Sequence, residues 1–103
     1  MIRHVFCFVL CVTALRAAAD DDPLRDLKKG QPRDVAALIH RLALCNHWSG
    51  EEPYDEARRK EIYSAMADLK CQRVEADEAK AVKRHASNPK ALKALKEAKE
   101  LSY

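Results

Sequence analysis

The stretch PRDVAALIHRLALC, residues 32–45, decides the fold class. Val35, Leu38, Ile39 and Leu42 recur at i, i+3, i+4 and i+7, the spacing that puts apolar side chains on one face of an α-helix. Arg33, Asp34 and Arg41 fall elsewhere around the cylinder. Pro32 suits the first turn, where its missing N–H costs nothing. The pattern predicts a helix from Pro32 to about Cys45 or Asn46.

Upstream, Asp22-Pro23 opens a short helical segment with Leu24 and Leu27 on one side. Gly30 can end it in the left-handed conformation. Downstream, residues 46–53, NHWSGEEP, form the one stretch rich in turn residues and read as the main loop. Helix formers resume near Tyr54 or Asp55 and run without Gly or Pro to about Ala86. Ile62, Ala65, Met66 and Leu69 make an apolar face that Val74, Ala81 and Val82 continue after some rotation, with a bend expected between Cys71 and Asp77. Asn88-Pro89 reads as the cap and first turn of a last helix reaching about Leu101. Ala91, Leu92, Leu95 and Ala98 face one way, and Lys93–Glu97 and Lys96–Glu100 stand at i, i+4. The expectation is an all-α domain of three to four helices with one long central helix.

Only two glycines and few β-branched residues agree with helix over sheet. The start of the chain has a different character. Basic residues at Arg3 and His4, an apolar run from Val5 to Leu15 and Ala17-Ala18-Ala19 before Asp20 have the layout of a secretory signal peptide. The run is shorter than the roughly 20 residues a bilayer span needs, and no second apolar segment follows. Residues 1–19 are thus expected to be removed and residues 20–103 to form one small domain, periplasmic or secreted.

Removing residues 1–19 takes away Arg3 and Arg16, so the formal charge of +3 falls to about +1. Both phenylalanines leave too, as do Cys7 and Cys11, which lie inside the apolar run and lack the surroundings of a lipidation site. The remainder is electrically two-ended. Acids outnumber Lys and Arg from Asp20 to Glu78, while from Lys80 onward Lys and Arg dominate over Glu97 and Glu100.

Cys45 and Cys71 then remain as the only cysteines, and an oxidising compartment predicts a disulfide between them. Closing that loop stabilises a thin core by roughly 3.5 kcal/mol in the chain-entropy model. Geometry adds a constraint. In a tight hairpin Cys45 would face the start of the long helix, whereas Cys71 lies about 24 Å further along it. The conflict resolves if residues 46–53 run extended beside that helix, covering about 26 Å, with Trp48 or Tyr54 packed along it.

Two side-chain groups could carry function. His40, Cys45 and His47, with Cys71 brought close, offer ligand types suited to zinc or copper, though without a C-x-x-C or H-x-x-x-H pair. The bland alternative is a disulfide beside two unrelated histidines. Trp48, Glu51, Glu52, Tyr54 and Asp55, followed by Glu56, join two aromatics to four carboxylates. Acids leading into a helix complement its dipole. The same loop could bind a basic envelope or extracellular protein, with Trp48 or Tyr54 as anchor.

His85 reads as a solvated helix-ending residue. Lys90, Lys93, Lys96 and Lys99 step by three and drift around their helix, as a solvated surface or a weak attraction to anionic surfaces. No serine sits in a nucleophile elbow and no glycine-rich phosphate loop is present, so catalysis and a cofactor are not expected. Nucleic acid is not an expected partner, given export and the lack of interleaved aromatics.

The pattern C-x-H-W-x-G-E-E-x-Y-x-x-A-R, then L-x-C and N-P, is carried by Cys45, His47, Trp48, Gly50, Glu51, Glu52, Tyr54, Ala57, Arg58, Leu69, Cys71, Asn88 and Pro89. It resembles a group of small exported bacterial helical proteins of unknown function, a likeness that implies an architecture and is silent on activity. Size, export and a cysteine-stapled helical body also resemble helical lysozyme inhibitors of the bacterial envelope, whose cysteines are more closely spaced. That likeness implies an envelope-protein inhibitor.

Overall fold

The computed structural model describes residues 22–101. The expected signal segment, residues 1–19, and the expected new terminus at Asp20 lie outside the described residues. Among the described residues the fold is all α: α1 (Pro23–Lys28), α2 (Arg33–Ser49), α3 (Glu56–Asp68), a 3-10 turn (Cys71–Arg73), α4 (Val74–Arg84) and α5 (Pro89–Glu100). No described helix is long and apolar enough to cross a membrane.

Local chemistry sets most of the helix ends. The carboxylate of Asp22 accepts from the Leu24 N–H at 3.0 Å, that of Asp55 from the Arg58 N–H at 2.7 Å, and the Asn88 amide oxygen from the Ala91 N–H at 3.1 Å. Each satisfies a donor that the first helical turn leaves without a partner. Gly30 has φ +73° in the turn after α1, a conformation that favours glycine. The expected ends at Asp22, Gly30 and Asn88 are all realised.

Helix α2 is the axis of the domain, and α1, α3, α4 and α5 all pack on it. Val35, Leu38, Ile39 and Leu42 are buried as their spacing predicts, joined by Ala43 and Cys45. Opposite them stand Ala91, Ala94, Leu95 and Ala98 of α5. Three small residues let the α5 backbone come close to α2, so that a short helix fills its groove without large side chains. Leu92, expected inside, is half-buried, and Ala94 takes the inward position.

The long helix does not run unbroken: in place of the expected bend between Cys71 and Asp77 there is a full break that begins one residue earlier. Its expected span divides into α3, the 3-10 turn and α4, and the break comes at Lys70, which has φ 54° and ψ 48°. A left-handed residue ends α3 as glycine commonly does, here with a side chain that makes the conformation costly by roughly 1–2 kcal/mol. Tertiary contacts offset that cost. Arg41 of α2 donates from Nε to the Leu69 carbonyl at 2.9 Å and from Nη2 to the Lys70 carbonyl at 3.1 Å. Its Nη1 meets Asp77 Oδ2 of α4 at 2.9 Å.

One turn along α2 from Arg41, Cys45 is bonded to Cys71, with Cα atoms 5.6 Å apart. The expected disulfide is present, but the route to it differs. Residues 46–49 are the last turn of α2 and do not run extended along another helix. Ser49 Oγ donates back to the Asn46 carbonyl at 2.9 Å, so these turn-type side chains serve the helix they end. The chain leaves through a short loop at residues 50–55, and α3 returns to the middle of α2. There the elbow presents Cys71 to Cys45.

Candidate functional site

The Trp48–Glu56 segment is held by one cation, the arginine that closes the C-x-H-W-x-G-E-E-x-Y-x-x-A-R pattern. Arg58, in the first turn of α3, lies with its guanidinium carbon 5.3 Å from the centroid of the Trp48 ring, a cation–π arrangement. Its Nη2 meets Glu51 Oε2 at 3.0 Å and its Nη1 meets Glu61 Oε1 at 3.0 Å. Hydrogen bonding to Glu61, and then to Glu51, pushes the Arg58 pKa above the ordinary arginine value. On the other side His47 Nε2 stands 3.5 Å from Glu51 Oε1 and packs edge-on to Trp48, with ring centroids 5.3 Å apart. Aromatic, cation and carboxylate thus tie the end of α2 to the start of α3.

This arrangement sorts the expected binding residues. Trp48 and Glu51 are half-buried parts of the clamp, and Asp55 is the cap of α3. Glu56 turns to Arg59 within the same helix at 2.5 Å. Glu52 and Tyr54 remain outward, Tyr54 at 81% exposure. Of the two aromatics, either of which was expected to pack along the next helix, Trp48 meets Arg58 of α3 and Tyr54 does not, because α2 extends to Ser49 and leaves the tip of the connection in solvent. Of four acids that read as one open patch, three have intramolecular contacts.

The possible metal set does not converge. Cys45 and Cys71 spend their sulfurs on each other, and a disulfide offers no thiolate to an ion. His40 is exposed on a different face of α2 from Cys45, and His47 faces Glu51. Among the described residues no three His, Cys, Asp or Glu side chains are grouped to hold a metal ion.

Three further ion-pair centres hold the helices together, and His85 belongs to one of them. Its Nε2 lies 2.9 Å from Asp34 Oδ2, while Arg84 Nη1 meets the same oxygen at 2.6 Å. The expected solvated histidine is instead largely covered and joins the end of α4 to the start of α2. The His85 hydrogen bond, followed by that of Arg84, lowers the Asp34 pKa to about 2 despite partial burial. Arg41 likewise lowers the Asp77 carboxyl below its usual range. Lys99 Nζ of α5 meets Glu78 Oε2 of α4 at 3.0 Å. Asp77 and Glu78 are half-buried between Val74 and Ala81, so α4 meets its neighbours through a stripe with a charged middle. Of the expected α5 pairs, Lys93 and Glu97 approach to 3.9 Å, and no such contact joins Lys96 to Glu100.

Arg41 was legible in principle, because it stands one helical turn before Cys45 and so points toward whatever Cys45 is bonded to. Arg58 had a weaker signal, a lone distance of seven residues from Glu51 across a turn. Compared with known proteins, the chain stands apart: no family model, no curated protein and no solved structure matches it.

Proposed function

We propose that this is an exported, non-enzymatic binding protein, periplasmic or secreted, whose contact element is the tip of the loop between α2 and α3. The observation that carries the reading is Tyr54, 81% exposed on a loop clamped at both ends. The Trp48–Arg58–Glu51 contacts hold its entry and the Asp55 cap holds its exit. A rigidly presented aromatic loses little conformational entropy when a partner covers it, which is how a few side chains come to dominate binding energy. Glu52 beside it adds negative charge and favours a basic envelope or extracellular protein.

The groups with shifted ionisation support binding over catalysis. Asp34 and Asp77 owe their shifts first to hydrogen-bonded partners that join one helix to another, and Arg58 and Arg59 owe theirs first to Glu61 and Glu56 within α3. An inhibitor of an envelope protein is the form of this function that the sequence resemblance implies. Export rests on the tripartite start of the chain and agrees with a disulfide, which persists outside reducing compartments.

Capture of partners from the native envelope and extracellular fractions tests the reading. Tyr54→Ala is expected to lose a partner that the parent protein retains, with no change in melting temperature. Glu52→Gln is expected to weaken the same capture at low salt and to match the parent at high salt. Equal capture by the parent and both variants at low salt would sink the proposal.

A further inference from the structure

A second surface lies back along α2 from the loop, where the α3–α4 elbow stands off the helix. An open cleft of about 750 Å³ separates them, a volume in the range of small-molecule sites. Its floor is α2 at Ala36 and Ala37, whose short side chains leave the space. Its walls carry Lys28, Arg41, Lys70 and Arg73. Against these four cations stand Asp68 and Asp77, and Asp77 is already engaged by Arg41. The lining therefore carries two positive charges in excess. Lys28, Lys70 and Arg73 make no salt bridge among the described residues, although Arg73 helps to lower the Asp77 carboxyl through space, and they come from α1, the left-handed residue and the 3-10 turn.

The conformation of Lys70 is the second observation. A left-handed residue after a helix is ordinarily glycine, because any Cβ raises its energy. Here the strained position carries a lysine, and its side chain borders the cleft. Strain of this kind persists only where surrounding contacts impose it, and it concentrates where a side chain must be aimed. Arg41 imposes it through the Leu69 and Lys70 carbonyls.

We propose that this cleft binds a phosphate monoester group, with Lys70 and Arg73 as its principal contacts and Lys28 closing the far side. The excess of two positive charges matches a group that carries about −1.5 to −2 at neutral pH. A planar guanidinium beside a mobile ammonium suits tetrahedral oxygens better than it suits a single carboxylate. The ester has two possible sources, a soluble phosphate or a lipid headgroup, and they share this chemistry.

Calorimetric titration of the purified protein with glycerol phosphate, and co-sedimentation with vesicles of phosphatidylcholine with or without phosphatidic acid, test it. Lys70→Gly removes the charge while supplying the residue that the backbone prefers, so the variant keeps its fold. Arg73→Gln removes the second contact. Saturable binding that falls about tenfold in each variant, and is unchanged in Lys60→Gln and Lys96→Gln, is the expected result. Such a fall with glycerol phosphate identifies a soluble ligand, and one seen only with phosphatidic acid identifies a headgroup. Absence of saturable binding to both probes, binding unaffected by Lys70→Gly and Arg73→Gln, or equal weakening in the Lys60 and Lys96 controls overturns the proposal.

Discussion

The Nε–H of Arg41 donates to the carbonyl of Leu69 at 2.9 Å, and this contact joins the middle of α2 to the end of a helix 28 residues later in the chain. The same guanidinium also holds the Lys70 carbonyl and Asp77. Replacing Arg41 with Met keeps an unbranched stem and deletes every one of these bonds. Loss of the carbonyl contacts is expected to cost about 2 kcal/mol of unfolding free energy, measured by urea titration. In parallel, the Asp77 carboxyl should return toward its ordinary range in an NMR titration, since Arg41 is the first cause of its lowering.

Reduction of the Cys45–Cys71 bond should loosen one helix ahead of the others. Helix α3 buries only Ile62 fully, and that residue stands apart from the main cluster around α2 and α5. A Cys45→Ser, Cys71→Ser variant is expected to lose roughly 3 kcal/mol of stability. Hydrogen exchange should accelerate across residues 56–68 well before it does in α2 or α5. Uniform acceleration would show that the disulfide supports the whole domain equally.

Asp34 gives the protein a stability term at the acid end of the pH scale. Its pKa is lowered from the ordinary aspartate range to about 2, with the His85 hydrogen bond as the leading cause. A carboxyl lowered in the folded state stabilises it fully above the unfolded value, and that stability is lost as pH falls from about 4 through 2. The urea midpoint of the parent should fall across this window. Asp34→Asn should start lower near neutrality and show a shallower fall, and identical slopes would remove Asp34 from the account.

The acidic loop should divide into members that hold structure and members that do not. Glu51→Gln weakens the contact to Arg58 and His47, so it should lower the melting temperature and shift Trp48 fluorescence. Glu52→Gln should leave both unchanged. Trp48→Ala removes a half-buried ring under a guanidinium and is expected to cost roughly 1–2 kcal/mol, below the loss typical of a fully buried tryptophan. Equal effects of the Glu51 and Glu52 changes would mean that the clamp does not form in solution.

Sequence by itself determined the helical class, the helix starts at Asp22 and Asn88, the inward face of α2 and the Cys45–Cys71 pairing. Those features follow from local chemistry: side-chain spacing on a helix, hydrogen-bond acceptors before a first turn, and a short list of sulfurs. Although the rotation of the apolar stripe points to a bend between Cys71 and Asp77, tertiary structure decided that the run breaks outright at Lys70, because residues 69–71 carry no Gly or Pro and the left-handed Lys70 is imposed by a guanidinium from another helix. It also decided which loop acids are spoken for, since Glu51 and Glu52 are neighbours with the same chemistry and only one lies within reach of Arg58. His85 and Asp34 stand far apart in the chain, and nothing local to either marks the other as its partner. Long-range ion pairs depend on how helices are laid against one another, and that arrangement is settled by the packing of α5 and α4 on α2 rather than by any pattern within a single helix.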